Sequence, residues 1–113
     1  MIDPQYFADN DWKSFQEKNH PLHPSADRLY QRRQRDSDGN TLFFWNVWHY
    51  PSGRHANLSL PESWELDVQF NTHGDGPVWN IETSVSTPIE LEEAMGRIKM
   101  FWDVGEWEPY DSE

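Results

Sequence analysis

The chain contains no cysteine, which excludes a disulfide framework, a thiolate metal site and a cysteine nucleophile. No apolar run approaches the ~18 residues that span a bilayer. The N-terminus, Met1-Ile2-Asp3-Pro4, lacks the basic and apolar regions of a signal peptide. These absences predict a cytoplasmic protein. Basic residues are scarce in one half only. From Asn57 to Glu113 there are two, Arg97 and Lys99, against thirteen acidic residues, whereas Met1 to Ala56 holds seven of each sign. The formal charge of −11 therefore belongs entirely to the second half. Confined in this way, it can form one negative surface facing a positive partner. The same charge opposes direct binding to nucleic acid or to anionic lipid.

Catalytic motifs are missing too. There is no Gly-x-Ser-x-Gly elbow, and no phosphate-loop lysine follows Gly74-Asp75-Gly76. His20, His23 and Asp27 lie in or beside a Pro-rich stretch that offers neither helical i, i+4 spacing nor an HExxH context for a metal. That stretch reads as an exposed connector with unspecialised histidines, and His49, His55 and His73 are scattered. Glu65, Asp67 and Glu82 have the chemistry of a glycosidase carboxylate pair, but that reaction needs a deep cleft rather than a solvated strand face. Asn57-Leu58-Ser59 matches a glycosylation sequon, which carries no weight without secretion. The reading is no enzyme, no metal and no cofactor.

What the chain does have is aromatic bulk: seven Trp, six Phe and four Tyr among 113 residues. Each can bury roughly 150–250 Å², so a few of them build a core despite 26% charged residues. A single domain over 1–113 follows, divided into an N-terminal helix and Pro-rich connector (1–26), two β-hairpins (27–86), a helix (87–104) and an acidic tail (105–113).

Asp3-Pro4 is a helix-start pair. Tyr6, Phe7, Trp12 and Phe15 follow at loosely helical spacing, with a break at Asp9-Asn10-Asp11. Arg28–Arg35 and Thr41–Tyr50 flank Asp38-Gly39, a strong hairpin signal. That turn pairs Tyr30 with Val47, Arg32 with Trp45, Arg33 with Phe44 and Arg35 with Leu42. Thr41–Tyr50 is apolar on both faces and belongs in the middle of a sheet, while the arginine strand reads as an edge. Trp64, Leu66, Val68 and Phe70 alternate with Glu65, Asp67 and Gln69. Trp79, Ile81 and Val85 alternate with Asn80, Glu82 and Ser84. Pairing Phe70 with Trp79 sets Asp67 opposite Glu82 on a wet face. Thr87-Pro88-Ile89-Glu90 matches a capping box. After it, Leu91, Met95, Ile98 and Trp102 form a core stripe, with Gly105 as the stop.

The predicted fold is α+β: a four-stranded antiparallel β-meander with a C-terminal helix packed on one face and a short N-terminal helix. Same-face residues on a strand lie ~6.7 Å apart, roughly two phosphate rises along a DNA strand. Glu62, Glu65, Asp67, Asp75, Glu82, Glu90, Glu92 and Glu93 therefore form the candidate partner-binding set, a phosphate-like array. Arg28, Arg32, Arg33 and Arg35, beside Tyr30, Phe44 and Trp45, form a secondary candidate face. The function this predicts is a small acidic non-enzymatic inhibitor or regulator, monomeric or homodimeric. It would occupy the basic surface of a nucleic-acid-binding or nuclease partner, in the manner of a phage anti-defence (anti-CRISPR-like, DNA-mimic) protein or a nuclease-toxin immunity protein. The alternative is an aromatic-lined ligand- or peptide-binding module, with Trp48, Trp64 or Trp107 as an exposed stacking platform.

Overall fold

Asp3 starts a helix that the chain stops six residues later. In the computed structural model, which describes residues 2–18, 20–35, 39, 41–55, 58–71 and 78–102, α1 spans Pro4–Asp9. The Asp3 carboxylate accepts from the Gln5 amide at 2.9 Å. Asp11 then takes a left-handed conformation, φ 64°, and the Trp12 amide donates back to the Phe7 carbonyl at 3.0 Å. The Phe7 and Trp12 rings meet edge to face, 5.5 Å apart. This is a Schellman stop with its apolar contact. It turns the chain into a strand, β1 (Lys13–Gln16), where helical spacing had left room for a restarted helix.

Among the described residues the main sheet contains five strands rather than four. β1 is followed by β2 (Arg28–Arg35), β3 (Thr41–Tyr50), β6 (Ser63–Asn71) and β7 (Val78–Val85), antiparallel throughout and adjacent in that order. Between β3 and β6, a separate small hairpin pairs β4 (Gly53–His55) with β5 (Leu58–Leu60). The arginine strand β2 is not an edge, because the Schellman stop leaves β1 extended alongside it. β3 is the central strand. Tyr30 pairs with Val47, Arg32 with Trp45 and Arg33 with Phe44, and the register shifts beyond Gln34, so Arg35 faces Thr41 and not Leu42. Gly39, at the turn, has φ 85°, a conformation glycine adopts at no steric cost. In the second hairpin Phe70 pairs with Trp79 and Asp67 with Glu82.

α2 (Pro88–Trp102) begins where the capping pattern places it, the Glu90 amide donating to Thr87 Oγ1 at 3.1 Å. The reciprocal arm differs from a capping box. The Glu90 carboxylate accepts from the backbone and hydroxyl of Ser86, one residue before the cap. Leu91, Ala94, Met95 and Ile98 pack with Phe43, Trp45, Val47, Leu66, Val68 and Phe70. Phe7 of α1 joins the same cluster by stacking on Tyr30, 3.8 Å between ring centres. Both helices therefore cover one face of the sheet, called here the helix side. The Trp102 side chain, Gly105 and the segment 105–113 fall outside the described residues.

Candidate functional site

The opposite face carries three acids on two neighbouring strands. Strand alternation sends Trp64, Leu66, Val68 and Phe70 into the core and leaves Glu65, Asp67 and Gln69 on the far side. On β7, Glu82 is exposed directly across from Asp67, and Ser84 lies across from Glu65. No lysine or arginine occurs on either strand. The Asp67 carboxyl titrates above the ordinary carboxylate range, first because it is partly buried and then because Glu82 and Glu65 face it; His23 opposes the shift. The Asn80 amide nitrogen, turned toward its two acceptors, donates to Asp67 Oδ1 at 2.5 Å and to the Val68 carbonyl at 3.1 Å.

One side of this acidic patch is bordered by the stretch read as an exposed connector. His23 is only 8% exposed, a correction to that reading. Its ring stacks on Trp48, 4.1 Å between centres and 16° between planes. Residues 20–27 return to the sheet through successive backbone bonds: His23 to His20, Ala26 to His23, and Asp27 to His49. Ala26, Leu29 and Trp48 then bury one another with Tyr50 alongside, a small second cluster on this face. His23 Nδ1 bonds the Tyr50 hydroxyl at 2.5 Å, and that hydroxyl donates to Glu65 Oε2 at 3.3 Å. His23 Nε2 lies 4.0 Å from Asp67 Oδ2. Burial, then Glu65, pushes the Tyr50 phenol up to about 12. The geometry brings three carboxylates, Glu65, Asp67 and Glu82, onto one face beside the His23 imidazole and the Trp48 and Tyr50 rings.

A second cluster lies on the helix side, at the sheet end near α1. His49 Nδ1 contacts Asp27 Oδ1 at 2.5 Å and Nε2 contacts Glu62 Oε2 at 2.6 Å. Arg28, Tyr30 and Trp64 line the adjoining cleft of about 390 Å³. This clamp ties the start of β2, the end of β3 and the entry to β6 together.

The predicted binding set is thus distributed over the molecule. Glu65, Asp67 and Glu82 come together on the open face. Glu62 is held by His49. Glu90 is engaged at the start of α2, and Glu92 accepts from the Tyr6 hydroxyl of α1, both in the helix layer. Glu93 is exposed on α2, and Asp75 lies outside the described residues. The arginines divide as well. Arg28 and Arg32 share the helix side with His49 and Trp45, their cross-strand partners. Arg33 is exposed on the open face over the Phe44 ring, 5.2 Å from its centre, and Arg35 lies past the register shift. Trp48 and Trp64, expected as exposed platforms, are 6% and 4% exposed; Trp107 is outside the described residues. Sequence reasoning missed His23, Tyr50 and His49. Only the Tyr50-His49 end of β3 carried any signal, as polar residues closing an apolar strand.

Among the described residues, no group of three or more His, Asp or Glu is placed to hold a metal ion, and no helix is long and apolar enough to cross a membrane. No family model, no curated protein and no solved structure matches this chain.

Proposed function

We propose that this chain is a small acidic, non-enzymatic binding protein of the cytoplasm that docks on a basic surface of a partner protein through Glu65, Asp67 and Glu82. The partner class is a nucleic-acid-binding or nuclease component, whose basic groove an acidic strand face occupies in place of phosphates. The chain then acts as an inhibitor or regulator of the anti-defence or immunity type.

The observation that carries this reading is the Asp67–Glu82 pair. Like charges directly opposite on neighbouring strands cost a few tenths to ~1 kcal/mol. Here the pair stands with Glu65 alongside and the His23 ring 4.0 Å from Asp67. A cationic side chain placed over these carboxylates relieves that repulsion and makes charge-assisted hydrogen bonds that grow stronger as water leaves. Binding to nucleic acid itself is disfavoured by the −11 charge. The rival reading, an exposed tryptophan platform, loses Trp48 and Trp64 to burial.

The test is capture from a bacterial lysate with wild type and with a Glu65→Lys/Asp67→Lys/Glu82→Lys triple variant as baits, at low and high salt. Exposed positions such as Glu82 change stability by about ±0.5 kcal/mol, and a thermal melt of the triple variant checks that the partly buried Asp67 site tolerates the change; desolvated interface charge pairs are worth ~1.5–7 kcal/mol. A partner held by wild type, lost on the triple variant and released by salt is the expected result. The matched control is Arg33→Glu on the same face. A partner held by the triple variant but lost on the Arg33 variant would sink the acidic-face reading in favour of the arginine–aromatic one.

A further inference from the structure

The open face ends at an edge. β7 is the last strand of the sheet, and no described residue pairs with its outer side. Eight residues, Val78–Val85, therefore present a row of outward backbone amides and carbonyls. On the helix side of this edge runs a groove of about 360 Å³ between β7 and α2, lined by the apolar Ile81, Ala94 and Ile98 together with Glu82, Thr83 and Arg97. One same-face step along the strand from Ile81 stands Trp79, 47% exposed although it belongs to the apolar set of β7. On the other side of the same strand lie Glu82 and, one strand inward, Asp67. The edge thus offers hydrogen-bonding backbone, an apolar trough on one side and negative charge on the other.

We propose that the outer edge of β7 takes an extended segment of the basic partner as a sixth strand, one whose side chains alternate between apolar and basic. Strand addition supplies the main-chain hydrogen bonds, and the period of two sends every second side chain to the same side. Apolar residues enter the trough beside Ile81 and Trp79. Basic residues fall on the open face, opposite Glu82 and within diagonal reach of Asp67. This rests on the acidic-face reading and says how the partner is held.

Charge selects a basic segment over a second copy of this chain. Copies pairing edge to edge bring two Glu82 carboxylates close together, between molecules that each carry −11. An outward acid on an edge strand is a known defence against self-pairing. A lysine or arginine at the same place turns the defence into a selector.

The test uses a synthetic peptide of the length of β7, alternating valine or isoleucine with lysine, against the full chain. A scrambled peptide of identical composition retains charge but not alternation. A third, N-methylated on alternate residues, retains both but cannot pair through one edge. We expect the alternating peptide to bind at least about tenfold tighter than the scrambled one, a difference of about 1.4 kcal/mol. N-methylation and Glu82→Lys should each remove that advantage. On binding, the alternate β7 amides that point away from β6 should become protected from hydrogen exchange. Equal binding of alternating and scrambled peptides, with no protection of β7, overturns strand addition while leaving the acidic face in charge of affinity. Binding of neither peptide also overturns it, and the lysate comparison of wild type with the triple variant then judges the acidic-face reading separately. Self-association of the chain alone, with the same β7 amides protected, overturns it in favour of a second copy.

Discussion

The two faces of the sheet solve the same problem, burying aromatic residues, with different partners. On the helix side Trp45 packs among Phe43, Val47 and the α2 stripe, and its indole nitrogen donates to Gln34 Oε1 at 2.8 Å. On the open face Trp48 is covered by a short Pro-flanked segment and a stacked histidine, and its indole nitrogen finds no hydrogen-bond partner among the described residues. One face is a thick apolar core, although the Trp12 indole nitrogen within it also finds no partner among the described residues. The other is a thin cover beside a polar patch, with like charges left facing each other. A face that only had to be soluble would not need that crowding, since mixed charges serve solubility as well. The difference between the faces assigns stability to one and leaves the other as the surface proposed for binding.

The sharpest way to break this division is a cavity on the helix side. Leu66 is fully buried, and Leu66→Ala should cost ~2–5 kcal/mol, read as a lower denaturation midpoint in urea. A loss below about 1 kcal/mol would mean the core does not lie there.

The open face is tested next by alkali. The Tyr50 phenol ionises at 10.0 in the unfolded chain and at about 12 in the folded one. Its neutral form is therefore favoured by folding: the stability it contributes is complete below pH 10 and is lost as pH rises toward about 12. Wild type should lose stability more steeply than Tyr50→Phe across that window. Parallel slopes would place the hydroxyl outside the acidic patch.

A smaller effect separates the helix cover from the sheet. Thr87→Ala removes the acceptor for the Glu90 amide and should lower stability by about 1 kcal/mol. Thermal melting that does not move would show the Ser86–Glu90 bonds capping the helix without Thr87.

The smallest effect has the opposite sign. Asp67→Asn retains an acceptor and removes the repulsion with Glu82, so it should stabilise the fold by a few tenths of a kcal/mol. The raised folded pKa of Asp67 sets the pH dependence. Its favourable contribution is present below the unfolded value of 3.8 and is lost as pH rises through the folded one. The advantage of Asn should therefore vanish near the acid end and reach its full size toward neutral pH. An advantage that is constant with pH would mean Asp67 does not feel Glu82.

By itself, the sequence determined what local rules govern. Strand alternation and a Gly turn placed Tyr30 against Val47 and Asp67 against Glu82, because a period of two admits no intermediate register once one face is buried. Cap chemistry located both helix starts at Asp3 and Thr87. Tertiary structure decided what depends on distant partners. Whether residues 12–16 resumed a helix or joined a sheet turned on Asp11 adopting a left-handed conformation and on β2 being there to pair. Whether His23 lay in solvent turned on a surface of Trp48, Tyr50 and Asp67, gathered from strands far along the chain. Which acids share a face was decided the same way. Glu90 and Glu92 follow Glu82 closely in sequence, yet α2 carries them into the opposite layer, because its apolar stripe has to meet the side of the sheet where Leu66 and Val68 already point.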